Sequence, residues 1–139
     1  MRKPLLTAAL LLAMHCPATL ACGVCVEDKI ASVYDHAVIT RALSLKHQVL
    51  FFAIDGRLAG SAVERQFLER AAAGAYGVDA GSARVSIETA SLSVTTDSLR
   101  APVAAVERSL QSKLGRRGLT LILLRVMDKP AELKTASRP

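Results

Sequence analysis

Six consecutive apolar residues, Val49-Leu50-Phe51-Phe52-Ala53-Ile54, stop at Asp55-Gly56. A run of that length closed by a turn dipeptide reads as a strand. Successive strand side chains point to opposite faces, so Leu50, Phe52 and Ile54 share one face and Val49 and Phe51 the other. Both faces are apolar, so a layer has to cover each side of this strand. Leu119 to Met127 repeats the pattern, with Leu121 and Leu123 set against Ile122 and Leu124. Two intervening runs behave differently. Arg84 to Glu88, with Val85 and Ile87, and Ser91 to Thr95, with Leu92 and Val94, alternate polar and apolar. They predict a hairpin with one wet face.

Helical signals separate these strands. Ser61-Ala62-Val63-Glu64 is a capping box. It opens a helix with Val63, Phe67, Leu68 and Ala71 on one face, ended by Gly74 and Gly77. Asp97 or Ser98 caps another, with Pro102 in its first turn, the stripe Val103, Val106, Leu110 and Leu114, and Gly115 at its close. From Gln48 to Met127 the order is βαββαβ. This is an α+β, ferredoxin-like arrangement: a four-stranded antiparallel sheet with two helices on one face and the first and third strands in the middle. Upstream, Val26, Ile30, Val33, Ala37 and Val38 recur at steps of three and four. They predict one extra N-terminal amphipathic helix, about Val24 to Arg41, with Glu27 and Asp28 in its favourable first turn. That helix is the candidate cover for the second face of the sheet; a homodimer packing sheet on sheet is the rival. Asp128 to Pro139 has two prolines and no apolar period and reads as a flexible tail.

The chain of 139 residues has room for one such domain, which excludes a multidomain enzyme. Hydrophobic residues reach 51 %, aromatic ones only 4 %, and Trp is absent, which disfavours sites built on stacked aromatics. The first residues account for an odd count of three cysteines. Met1-Arg2-Lys3 is a basic start, Pro4 to Cys16 is apolar and uncharged, and Thr19-Leu20-Ala21 sets small residues at −3 and −1 of a cut after Ala21. These are the regions of a secretory signal peptide, and the apolar stretch is shorter than the roughly 20 residues of a spanning helix. Removing 21 of 139 residues leaves 118, takes Arg2, Lys3 and Cys16 away, and lowers the net charge from +6 to +4. Cys22 and Cys25 remain, as Cys22-Gly23-Val24-Cys25. The predicted division is residues 1–21 signal peptide, 22–47 Cys-x-x-Cys segment and helix, 48–127 ferredoxin-like domain, and 128–139 tail. The destination is periplasmic or secreted, with no transmembrane segment after signal removal. Lipid attachment at Cys22 competes, although Thr19 replaces the apolar residue such signals carry at −3.

Gly77-Val78, the hairpin Arg84-Val85-Ser86-Ile87-Glu88-Thr89 with Leu92-Ser93-Val94-Thr95-Thr96, and Asp97 before the second helix follow one another in a rhythm that resembles heavy-metal-associated domains. These are the small ferredoxin-like modules of copper chaperones and metal-transporting ATPases. The resemblance covers about residues 48–127 and implies the fold. The family places a Cys-x-x-Cys between its first strand and first helix. Here that loop is Asp55-Gly56-Arg57-Leu58-Ala59-Gly60-Ser61, without a thiol, so the ligand role is not carried over. A continuous N-terminal helix of about 16 residues, roughly 24 Å long, running antiparallel to the first strand would return Cys22 and Cys25 to that loop.

Two thiolates three apart at a helix N-terminus share one turn and suit a soft ion, Cu(I) or Zn(II). The same pair suits thiol–disulfide exchange, or an inert disulfide in an oxidising compartment. Three function classes therefore stand: a metal-binding or metallochaperone-like protein using Cys22 and Cys25, a thiol–disulfide exchange protein, and a non-catalytic interaction module with a structural disulfide. Their partners are a metal-handling or redox protein, or a second copy. His36, eleven residues beyond Cys25, and His47, just before the first strand, read as ordinary polar positions. Nucleic acid is excluded: RNA-recognition modules share the element order, but Ser91 to Thr95 lacks an aromatic. Acylphosphatases share it too, and Arg57 stands in the corresponding loop without a recognisable phosphate cradle. Lys113, Arg116 and Arg117 cluster where cations suit a helix C-terminus. No catalytic triad or carboxylate pair emerges from spacing.

Overall fold

A computed structural model describes residues 25–130. The signal-peptide region, Cys22, and 131–139 of the expected tail lie outside the described residues; 128–130 carry no helix or strand. The elements run α1 (Val26–Ser32), α2 (His36–Ser44), β1 (Gln48–Asp55), α3 (Ala62–Ala73), β2 (Arg84–Ser86), β3 (Ser91–Thr96), α4 (Val103–Gly115) and β4 (Thr120–Met127). The sheet has the order β2-β3-β1-β4, antiparallel throughout, which puts the first and third strands in the middle as expected. This is a ferredoxin-like α+β fold preceded by two short helices.

Leu50 pairs with Val94 and Phe52 with Leu92, and Ile54 pairs with Leu121 across the other edge of β1. These side chains form one core with Leu68 of α3 and Val106, Leu110 and Leu114 of α4. The α4 stripe is as the sequence predicts. Its cap is not: Pro102 occupies the N-cap, and Asp97 instead organises the preceding turn, its Oδ1 accepting from the Leu99 amide at 3.0 Å. Gly77 (φ +81°) passes so close to α4 and the turn before it that a Cβ there would lie 2.8 Å from Val106 Cγ2 and 2.5 Å from the Ala101 Cβ, which explains the glycine.

In α3, the Ser61 hydroxyl accepts from the Glu64 amide at 3.1 Å, so the predicted cap forms. The inward face differs. Glu64, Leu68 and Ala72 are buried, whereas Val63 is 74 % and Phe67 42 % exposed. The Glu64 carboxylate turns back to the amides of Ala59 and Gly60, and this sets the rotation of the helix.

The single helix expected over Val24 to Arg41 is two helices. Asp35 starts a new one: its Oδ1 accepts from the Val38 amide at 3.1 Å, and Oδ2 accepts from Arg84 Nε at 2.9 Å. A side chain that caps its own backbone competes with helix continuation, which is why the chain breaks at Asp35. The buried stripe is Ile30 and Val33 of α1 with Ile39 and Ala42 of α2, packed on Val49 and Phe51. Val26 and Ala37, expected on that stripe, are exposed. The pair α1–α2 thus forms the second cover of β1 from within the chain.

That cover also removes the wet face expected of the hairpin. Every residue of β3 is buried, and β2 stops at Ser86, with Ile87 to Ala90 forming the turn. The polar side of β3 lies under α1 and α2 with partners: Ser93 Oγ donates to the Val33 carbonyl at 2.9 Å, Ser91 Oγ meets Ser32 Oγ at 2.9 Å, and Thr95 Oγ1 donates to Asp79 Oδ2 at 2.6 Å. Exposure appears instead on β4, expected to be buried on both faces: Ile122 is 51 % and Val126 39 % exposed. As an edge strand, with a register shift opposite Phe51/Phe52, β4 is only partly covered.

Candidate metal centre

Cys25 is the N-cap of α1, with an exposed side chain. Its carbonyl accepts from the Lys29 amide at 3.0 Å, so the residue is fixed to the first turn. Its Sγ donates to Asp28 Oδ2 at 3.1 Å, placing a carboxylate oxygen beside the sulfur. Three contacts hold α1 on the sheet: Glu27 pairs with Arg125 of β4, the Lys29 ammonium donates to the carbonyls of Thr89 and Ala90, and Ser32 Oγ joins Thr89 and Ser91. Cys22 lies outside the described residues.

The single continuous helix along which the cysteines are expected to return to the end of β1 is two helices, α1 and α2. The seven-residue α1 is about 10 Å long. Its lysine reaches the Thr89–Ala90 turn, whose Ala90 carbonyl accepts from Ile54 at the end of β1. The loop after β1 departs toward α3 on the opposite face of the sheet, and the hydrogen bond of Cys25 is to its own helix.

That loop is closed on itself. The Glu64 carboxylate accepts from the amides of Ala59 and Gly60, Leu58 packs on the core, and Gly56 (φ +130°) is pressed against Gly118, where a Cβ would lie 2.9 Å from the Gly118 oxygen. A carboxylate from α3 thus closes the thiol-free loop from inside, and Arg57 within it is exposed.

His36 is exposed in the first turn of α2. His47 is half-buried where α2 turns into β1. Its Nδ1 lies 2.8 Å from Asp79 Oδ2 and its Nε2 3.9 Å from Asp97 Oδ2. Thr95 shares the Asp79 oxygen, and a cavity of about 250 Å³ opens beside His47 and Asp79, bounded by Val38, Arg41 and Leu45. His47, expected as an ordinary polar position, thus meets Asp79, a partner that no short-range pattern reveals because the two are 32 residues apart. Among the described residues, no group of three or more His, Cys, Asp or Glu side chains is arranged to hold a metal ion. None of the described helices is long and apolar enough to cross a membrane.

The chain matches no protein-family model and no curated protein. Among solved structures it is similar to oxidized MerP from Ralstonia metallidurans CH34, at 18 % identity over 57 % of this chain and 99 % of that one, with a TM-score of 0.45. It is also similar to a copper-binding domain from HMA7, a P-type ATPase, at 15 % identity over 57 % of this chain and 96 % of that one, with a TM-score of 0.45. The resemblance to heavy-metal-associated domains is one of fold, and it rests here on the βαββαβ order and the strand order β2-β3-β1-β4.

Proposed function

We propose that this is an exported protein that binds a soft metal ion, Cu(I) or Zn(II), through the thiolates of Cys22 and Cys25. The observation that carries the reading is the exposed Cys25 sulfur at the start of a helix anchored to the sheet, in a Cys-x-x-Cys spacing. Thiolates favour Cu(I) and Zn(II) over harder ions. Asp28 Oδ2, 3.1 Å from Sγ, adds an oxygen donor within reach, a ligand better suited to Zn(II) than to Cu(I). The ion is cargo in this reading, taken up at an accessible end of the molecule and passed to a metal-handling partner. Export rests on the basic, apolar and small-residue regions of residues 1–21.

The reduced protein, titrated without oxygen against a chelator of known affinity, binds one equivalent of Cu(I) or Zn(II) in this account. The Cys22→Ser/Cys25→Ser variant loses that equivalent. A wild-type protein that takes up no metal, or a double variant that binds as well, rejects the reading.

Thiol–disulfide exchange is the second reading, favoured by the same exposure of the Cys25 sulfur. It requires a reduction potential in the range of exchange proteins rather than the very low value of a structural disulfide.

A further inference from the structure

We propose that the outer surface of the α3–α4 layer docks onto an anionic lipid membrane. Lys113, Arg116 and Arg117 fall within five residues at the end of α4, and among the described residues none has a carboxylate within 4.0 Å. Arg57 joins them from the loop after β1, because Gly56 packs against Gly118. Asp55, opposite Thr120 at the same end of the sheet, offsets only one of these four charges. The Arg117 guanidinium lies 4.5 Å from the centroid of the Phe67 ring. Phe67 and Val63 stand one turn apart on α3 and are both exposed.

The acids of α3 face elsewhere. Glu64 is buried on the loop amides, and Glu69 accepts from the Val85 amide at the edge of the sheet. Two other bases are paired with acids: Arg84 with Asp35 and Arg125 with Glu27. The result is a surface of unpaired cations around a shallow apolar pair.

Charge complementarity requires an anionic occupant, and the size of the apolar centre selects among anionic ones. A stable protein interface buries roughly 800 Å² per partner around packed aromatic anchors. Two exposed side chains supply a small part of that. A lipid surface needs only cations on long stems reaching phosphates and a few apolar atoms entering the headgroup boundary.

The test is sedimentation of the full chain with phosphatidylcholine vesicles, with and without phosphatidylglycerol. Residues 1–24 contribute equally to every variant in this comparison. The wild type partitions onto the anionic vesicles in preference to the neutral ones, and raised salt releases it. Lys113→Gln/Arg116→Gln/Arg117→Gln binds on the order of a hundredfold more weakly, because each base near a charged surface contributes about 1 kcal/mol. Val63→Ser, at an exposed position that leaves folding intact, weakens binding by a smaller factor. Matching far-UV circular dichroism establishes that the variants are folded. Equal partition onto both vesicle types, or undiminished binding by the triple variant, overturns the proposal. So does binding of poly-glutamate through these three bases with no binding to vesicles, which would assign the surface to an acidic protein.

Discussion

The hydroxyl of Ser93, in the centre of the sheet, donates to the backbone carbonyl of Val33 at 2.9 Å. Val33 is the C-cap of α1, so this bond ties the end of the first helix to the middle strand. Both residues are buried, and the carbonyl has no solvent to replace the donor. Ser93→Ala therefore destabilises the protein by about 1–2 kcal/mol, the cost of leaving a buried acceptor without a partner. Urea unfolding monitored by circular dichroism reads the change as a lower midpoint. An unchanged midpoint would mean that α1 is not seated on β3.

The rotation of α3 is tested by two truncations in one helix. Leu68 is fully buried and Val63 is on the outer surface. Leu68→Ala costs about 2–5 kcal/mol, and Val63→Ala less than about 0.5 kcal/mol. Comparable losses at both positions would restore the helix face that the apolar spacing suggested.

The two outcomes for α3 and β3 show where sequence patterns were sufficient. Topology was legible, because strand runs, turn glycines and the α4 stripe Val106, Leu110 and Leu114 each obey one period. The faces of α3 and β3 were not. Val63 and Phe67 have the spacing of a core stripe, but Glu64 takes the inward position because its carboxylate serves loop amides. Ser91, Ser93 and Thr95 have the alternation of a solvated face, but each is buried with a hydrogen-bond partner on another segment. Long-range satisfaction of polar groups leaves no mark at a spacing of two or three. The break at Asp35 had a local signal, a capping residue inside an apolar period, which the stripe from Val26 to Val38 obscured. At the candidate metal centre the Cys-x-x-Cys spacing is read from the sequence alone, and Cys22 lies outside the described residues.

Asp35 gives the fold a pH dependence. Its carboxyl is held below the usual value of 3.8, first by the Val38 amide and then by the Arg84 guanidinium. A depressed carboxyl stabilises the fold above its unfolded value, and the contribution is lost as pH falls through the folded value. Between about pH 5 and 2 the wild type thus loses this increment, whereas Asp35→Ala, already without the cap, does not. Thermal melts of both proteins across that range should converge at the acid end. Parallel curves would assign acid sensitivity to other carboxyls.

Glu64 closes the loop that separates β1 from α3. Glu64→Ala leaves the Ala59 and Gly60 amides without their acceptor and exposes them to solvent. Hydrogen exchange at these two amides should accelerate by at least tenfold, while exchange in β1 changes only in proportion to the loss of global stability. Uniform acceleration across the sheet would show that the loop and the core open together.

The central claim, a metal ion held by two thiolates at the start of α1, is tested most directly by X-ray absorption spectroscopy of the metal-loaded, reduced protein. The account predicts two sulfur scatterers from Cys22 and Cys25, at about 2.3 Å when the ion is Zn(II). In Cys22→Ser/Cys25→Ser both are lost. A first shell made only of nitrogen and oxygen would contradict it, and would place any bound ion elsewhere on the fold.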